Sequence, residues 1–399
     1  MKYDYMEIGD IAEVTKLAGF EFTKYIEYID DGEIIALRAL NLRHGELDLS
    51  DVKRIDRQVS DSLLRSKLYR DDILLTYTGN GYGDCAIIEE NDKYHLAPNI
   101  CKITPNTTKI DPYFLYSYIR TNEFYQTMSN HMTGSSQPTI PMKTIRVLKV
   151  PVPSMEEQRK IASFMKSINI AIRNNTAINE NLLEQAQTIY HEMFVKTLND
   201  KRLTCRADEY FDIAIGKTPP RKEHQWFTNN QSDVTWVSIS DMGSCGTYIS
   251  RSSEQLTQEA IDKFNIKVIP DNTILLSFKL TVGRIAITHG KMTSNEAIAH
   301  FKTDKPFINE YLYCYLKDFN YQTMGSTSSI ATAVNSKIIK AMPFVIPADD
   351  EISHFHSIVG PMFEQILNKQ LENDSLVEIR DVLLPRLMTG EIDVSYLDL

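Results

Sequence analysis

Few residues in this chain have the types and spacing that chemistry requires, and each set falls short of its pattern. Gly216-Lys217-Thr218 has the ending of a phosphate-binding loop, in which backbone amides and a lysine hold phosphate oxygens. That motif needs a glycine five residues before Gly216, where this chain has Phe211. A Gly-Lys turn leading into Pro219-Pro220 accounts for the same letters. Gly79-Asn80-Gly81-Tyr82-Gly83 lacks the G-x-G-x-x-G spacing and precedes an apolar strand rather than a helix, so it reads as a hairpin tip. Asp111-Pro112-Tyr113 lacks the second proline of the Asn/Asp-Pro-Pro-aromatic motif that holds an adenine amine. His191-Glu192 has no second histidine at helical spacing, and His354 and His356 are two residues apart, on different faces of a helix. With 9 histidines scattered along the chain, no Ser/His/Asp order stands out. The residues therefore indicate no catalytic group, no metal site and no bound cofactor.

Recognition chemistry is better represented. Thr78, Asn80 and Tyr82 crowd one loop, and Lys279, Thr281 and Arg284 another. Ser135, Ser136 and Gln137 lie in a Ser/Thr/Gln-rich tip, as do Ser326, Thr327 and Ser328. Lys217, Arg221, Lys222 and His224 form a basic cluster with Trp226 close by. Such side chains read base edges and hold phosphates, although they also fill ordinary exposed loops. The net charge of −10 argues against indiscriminate nucleic-acid binding but leaves room for a local basic face.

These loops must be positioned by something, and the longest elements are two helices. Residues 151–193 carry apolar side chains at Ile161, Phe164, Ile168, Ala171, Ile178, Leu182, Ile189 and Met193, spaced mostly by threes and fours. Glu156 and Glu157 suit the positive end of the helix dipole. A helix of about 40 residues spans roughly 60 Å, and its narrow apolar stripe suits one partner helix rather than a broad core. Residues 347–387 supply that partner. A constant shift of 194 residues places Pro153 on Pro347, Ile161 on Phe355, Phe164 on Ile358, Ile168 on Met362, Ile172 on Ile366, Leu182 on Leu376 and Ile189 on Leu383. Two amphipathic helices can often be slid into register, but here the match continues upstream. Gly83, Ala86 and Ile87 align with Gly283, Ala286 and Ile287, and Ile73-Leu74-Leu75-Thr76 aligns with Ile274-Leu275-Leu276-Ser277. The chain reads as one unit of about 200 residues written twice, each a globular part followed by a long helix. Pro361 either starts the second helix or kinks it, and the same choice applies to Pro385.

Short apolar strands are expected at 34–37, 73–77, 85–88, 100–103, 236–239, 273–278 and 284–288, with helices at 111–126 and 309–317. That mixture implies α/β or α+β globular parts. At 399 residues each copy can bury its own core. The 5 cysteines form no CxxC and no even framework, as suits reduced thiols. No run reaches the length of a membrane span and the first residues lack a secretory apolar core, so a cytoplasmic chain is expected.

Two blocks carry a specific resemblance. Pro151-x-Pro153-x-x-Glu156-Glu157-Gln158-Arg159-Lys160-Ile161-Ala162, followed by a long helix, resembles the central conserved region of type I restriction-modification specificity subunits. The stretch Leu384-Pro385-Arg386-Leu387-Met388-Thr389-Gly390-Glu391-Ile392-Asp393-Val394 resembles their ending. The pattern covers essentially the whole chain, and it departs at Glu351-Ile352, where Glu-Gln is expected. The resemblance implies a target-recognition domain at 1–153, a central helix at 154–199, a second target-recognition domain at 200–347, and a distal helix with tail at 348–399. Each domain would read one half of a split, asymmetric site in double-stranded DNA. The helices would pair antiparallel as a coiled coil, related by an internal pseudo-twofold, and fix the gap. Two modification (methyltransferase) subunits and, with them, restriction (translocase/nuclease) subunits would dock on this scaffold. The competing reading is a coiled-coil adaptor whose globular parts never touch DNA.

Overall fold

The computed structural model describes residues 3–43, 45–79, 81–133, 138–196, 202–324 and 335–394. They form two compact units, one of residues 1–172 and 375–399, the other of residues 173–374. Each boundary falls inside a long helix, so both long helices contribute to both units.

In the first unit four strands, Ala12–Lys16, Ile100–Pro105, Ile73–Thr76 and Cys85–Ile87, lie side by side in that order and are antiparallel throughout. The apolar runs of Ile73–Thr76 and Cys85–Ile87 are continuous because both faces are covered. Ile73, Leu75, Cys85, Cys101 and Ile103 face one core, while Leu74, Ala86 and Ile100 face another. A second sheet orders Lys53–Ile55, Ile34–Leu37 and Tyr94–Leu96, the last pair parallel. The strand Lys149–Val152 pairs antiparallel with Asp4–Glu7 just before the first long helix begins. The expected helix over 111–126 is two helices. Asp111 caps Pro112–Ile119, and Thr121 ends that segment and caps Asn122–Ser129 by accepting from the Phe124 amide at 3.2 Å.

The second unit orders Asp212–Ile215, Ile298–Lys302, Ile274–Ser277, Ile285–Thr288 and Tyr248–Ile249, with the last pair parallel. Its second sheet orders Phe227–Thr228, Glu254–Leu256, Val234–Val237 and Thr293–Ser294. The strand expected at 236–239 stops at Val237, because Ser238 caps a short helix, Ile239–Ser244, through a reciprocal pair with Asp241.

The first long helix runs Met155–Tyr190 and continues as a π-helical turn, His191–Val195. The second runs unbroken from Asp349 to Met388, through both Pro361 and Pro385, so it does not start at Pro361. Within the first unit Ile161, Ala162 and Met165 share a core with Leu384, Leu387 and Met388, while Phe164 and Leu383 pack at its margin. Ile168 is buried beside them in sequence, and Leu376 is half-buried. Within the second unit Ala186 and Tyr190 share a core with Phe355, Val359, Phe363 and Ile366, with Leu182, Ile189 and Met362 packed against it.

Two positions on the expected stripe are corrected. Ile178 and Ile358 are each 38% exposed, whereas Asn175 at 5% and Val359 at 0% are buried. The helical period is nearer 3.6 than 3.5, so a stripe extrapolated by threes and fours drifts sideways along a long helix. The drift brings asparagines inward: Asn175 Nδ2 donates to Asn373 Oδ1 at 3.0 Å, and Asn179 Nδ2 to the Ile366 carbonyl at 3.2 Å.

Gln158, in the conserved-looking block, is buried and used on both ends. Its Oε1 accepts from the Asp111 amide at 2.7 Å, and its Nε2 donates to the Pro153 carbonyl at 2.9 Å. The apolar Ile352 stands at the matching place in the second long helix, 8% exposed, so that site dispenses with the polar latch.

Candidate nucleic-acid interface

In the second unit, residues 216–218 lie along the 294–298 segment. The Gly216 amide donates to the Ile298 carbonyl at 3.1 Å and the Lys217 amide to the Ser294 carbonyl at 2.8 Å. A Cβ on Gly216 would meet the Asn295 carbonyl oxygen at 2.1 Å, so this glycine serves close backbone approach rather than phosphate binding. The Trp236 indole donates to the Lys217 carbonyl at 3.3 Å, and Lys217 Nζ donates to the Phe264 carbonyl at 2.6 Å. Arg221 lies over Phe227 and Trp236, 4.2 and 4.5 Å from their ring centroids, and its Nη1 donates to both Glu254 oxygens at 2.8 Å. A guanidinium stacked and paired in this way is held in one orientation while staying exposed. Lys222 is exposed next to it. Trp226 is buried against Phe264, with Lys263 4.3 Å from its ring centroid, and His224 is exposed at the start of the same turn.

Glu296 ties the segment to the loop after Ser277. It accepts from the Thr218 hydroxyl. Burial pushes its carboxyl up, but the Thr218 bond, its own backbone amide and the charges of Lys279 and Arg221 outweigh burial and leave it below the usual range. Thus the Lys217–Arg221 cluster and Lys279, 58 residues apart in sequence (Arg221 to Lys279), act on one carboxylate. Thr281 is exposed at the loop tip, and its carbonyl accepts from Ser277 Oγ at 2.6 Å. Arg284 turns inward instead, its Nη1 donating to the Ile239 carbonyl at 2.6 Å.

In the first unit the corresponding loop is braced differently. Thr78 Oγ1 donates to Thr139 Oγ1 at 3.2 Å, and the Gly79 amide to the Pro138 carbonyl at 3.0 Å. Tyr82 stacks on Tyr125 with centroids 5.2 Å apart, and the Tyr125 hydroxyl donates to that of Tyr82 at 2.5 Å. Hydrogen bonds from Ser129 and Tyr125 stabilise the Tyr82 phenolate and lower its pKa, and the Tyr125 pKa rises for the converse reason. Asn80, Ser135, Ser136, Gln137, Ser326, Thr327 and Ser328 lie outside the described residues. Tyr125, Glu296 and Glu254 were not singled out in the sequence, because each meets its partner across 33 to 78 residues.

Two buried histidines lie on sheet strands, His95 on Tyr94–Leu96 and His300 on Ile298–Lys302. His95 Nδ1 shares a hydrogen bond with Ser60 Oγ at 3.0 Å, and His300 Nε2 one with Ser294 Oγ at 2.6 Å. Burial, then the charges of Lys102 and Lys67, push His95 down to about 4, and burial, then Lys302, pushes His300 down to about 3. Both are therefore neutral when folded and charge more readily when unfolded. Their contribution to stability is complete above about pH 6.5 and is lost as the pH falls toward 4. Urea midpoints measured at pH 7 and pH 5 are expected to show the loss, and His300→Asn should shrink the difference.

Among the described residues no group of three or more His, Cys, Asp or Glu is placed to hold a metal ion, and no helix is long and apolar enough to cross a membrane. What these two sheet-bearing units offer is a set of exposed basic, hydroxyl and aromatic loop residues on a mixed α/β frame. The family model described as the type I restriction modification DNA specificity domain matches this chain twice, over residues 1–184 and 204–373. The chain is 23% identical to the Type I restriction enzyme HindI specificity subunit of Haemophilus influenzae, covering 96% of this chain and 98% of the relative. It is 27% identical to the MjaIX specificity subunit of Methanocaldococcus jannaschii over 71% of this chain and 70% of that one. The crystal structure of a type I restriction-modification S subunit from M. genitalium shares the fold, with a TM-score of 0.58 at 14% identity, covering 97% and 96% of the two chains. The chain belongs to the family of DNA specificity subunits of type I restriction-modification systems.

Exposed Lys222 gives this interface a simple test. Lys222→Ala is expected to weaken DNA binding at all sequences alike and to lower the log–log salt slope by about 1, the change for one phosphate contact. Thermal stability should be unchanged.

Proposed function

We propose that residues 1–153 and 200–347 are two target-recognition domains, each reading one half of a bipartite, asymmetric DNA site. Residues 154–199 and 348–399 carry the two long helices, which pair antiparallel as a coiled coil and set the gap between half-sites. The observation that carries this reading is the double match to the DNA specificity domain, once on each side of the first long helix's end. A duplicated unit is supported by strand order. Ala12–Lys16, Ile100–Pro105, Ile73–Thr76 and Cys85–Ile87 correspond, in the same sequence of neighbours, to Asp212–Ile215, Ile298–Lys302, Ile274–Ser277 and Ile285–Thr288. It is also supported by glycine geometry: Gly83 at φ 89° lies under Tyr125, and Gly283 at φ 92° lies under Tyr321. Antiparallel pairing is supported in the second unit, where Asn175 meets Asn373 and Asn179 meets Ile366. A buried asparagine such as Asn175, bonded to half-buried Asn373, also fixes register at some cost in stability.

The names of the relatives, specificity subunits of type I restriction enzymes, support other subunits of such an enzyme as partners, and we take these to be two modification subunits and the restriction subunits, in the cytoplasm. The assembled complex is then an adenine-N6 methyltransferase and ATP-dependent endonuclease, with this chain as its non-catalytic address reader. Purified chain incubated with DNA, S-adenosylmethionine, ATP and magnesium is expected to neither methylate nor cleave, and methylation should appear when the modification subunits are added. Turnover by the chain alone would overturn the reading.

A further inference from the structure

Among the described residues six other than glycine adopt positive φ, and five of them are Asp or Asn: Asp71, Asp92, Asn99, Asn265 and Asn272. Those types tolerate the left-handed region through local hydrogen bonds. The sixth is Leu280, at φ 62°. It is also the most exposed large apolar residue described, at 97%. The Thr281 amide donates to the Lys279 carbonyl at 2.7 Å, closing a three-residue turn with Leu280 at its apex. A γ-turn with positive φ at its central residue is the rare, strained form. The rest of the loop enforces it. Ser277 Oγ donates to the Thr281 carbonyl at 2.6 Å and accepts from the Arg284 amide at 3.0 Å, while the Gly283 amide donates to the Ser277 carbonyl at 3.0 Å. Arg284 in turn anchors to the Ile239 carbonyl. At the equivalent place in the first unit, three residues beyond the strand end at Thr76, the positive φ of 92° belongs to Gly79. Folding alone would favour glycine or asparagine at 280.

A braced tip that thrusts Leu280 almost wholly into solvent, flanked by Lys279 and Thr281 and followed by the less exposed Val282, has the chemistry of a wedge for stacked bases. Proteins that kink duplexes insert single Leu, Ile, Phe or Met side chains between base steps and hold the flanking phosphates with cations. Leu280, even with Val282 (36% exposed) beside it in the loop, is too small to seat a protein partner, whose interface needs a contiguous patch of roughly 800 Å² per side. We infer that Leu280 is a duplex-inserting residue: it enters the DNA half-site read by the second domain, unstacks one base step and bends the helix there. Lys279 holds the neighbouring phosphate. This rests on the DNA-reading function proposed above.

The test uses the full chain with its modification subunits and a duplex selected by that complex from a random-sequence pool, labelled at both ends for energy transfer and carrying 2-aminopurine at successive positions. Wild type is expected to bend the duplex by about 20° or more and to raise 2-aminopurine fluorescence several-fold at one step of one half-site. Leu280→Gly, which relieves the backbone, should fold at least as well. It should lose both signals and bind the selected duplex about tenfold more weakly, with nonspecific binding unchanged. Leu280→Met should keep both signals. If Leu280→Gly bends and unstacks the duplex like wild type, or if wild type binds the selected duplex without either signal, the wedge is refuted while DNA reading stands. If wild type selects no duplex at all, both fall. If Leu280→Gly binds DNA as wild type does but fails to retain the modification subunits, the leucine belongs to a protein contact and the inference is wrong.

Discussion

Insertion of four residues after Asn175, matched by four after Asn373, is expected to widen the gap between the two half-sites by about 2 base pairs without changing either half-site. Four residues are about one helical turn, some 6 Å, against about 3.4 Å per base step. The position follows from the seam. Asn175 and Asn373 are hydrogen-bonded to each other, so a paired insertion there leaves the packed segments on either side intact. The segments with Ile161, Met165, Leu384 and Leu387 belong to one core, and those with Ala186, Tyr190, Phe355 and Ile366 to the other. The loops at 76–84 and 277–285, proposed to read bases, are untouched, so base preference should be retained. Mapping methylated adenines in cells that express the lengthened chain reads gap and half-sites together. A change in half-site sequence at constant gap would show that the helices are not the ruler.

The second large effect is on stability. Phe355→Ala is expected to cost about 3–5 kcal/mol, a large part of a typical domain's 5–15 kcal/mol. Phe355 is fully buried, and its ring meets Phe194 edge-on with centroids 5.3 Å apart. Phe194 in turn meets Tyr311 at 4.7 Å, so the deletion opens the centre of a helix-to-globule core rather than a helix seam alone. Ile358→Ala, three residues on and 38% exposed, should cost no more than about 0.5 kcal/mol. Equal losses for the two variants in urea denaturation would contradict the packing described here.

That contrast marks where sequence reasoning held and where it slipped. Strands buried on both faces announce themselves as unbroken apolar runs, and Ile73–Thr76 and Ile274–Ser277 were legible for that reason. The long helices were legible from period and acidic starts. Their packed faces were legible except at Ile178 and Ile358, because a one-residue drift over 40 residues exchanges Ile358 for Val359 and brings Asn175 inward. Thr121 broke an apparently continuous helix because its hydroxyl serves as a cap, a choice that tertiary packing makes. In the loops, residue type was visible but occupation was not. Arg284 looks like Arg221 on paper, yet one is spent on the Ile239 carbonyl and the other is stacked and exposed. Leu280 carried no signal at all, since its positive φ and near-complete exposure arise only in the folded loop.

The central claim is that one chain reads two separated DNA addresses. Single-molecule sequencing of methylated adenines, in cells carrying this chain with its modification subunits and in cells lacking only this chain, tests it most directly. The account predicts one chain-dependent motif made of two different half-sites at a constant gap. A single uninterrupted motif, or a methylation pattern unchanged when the chain is removed, would contradict it.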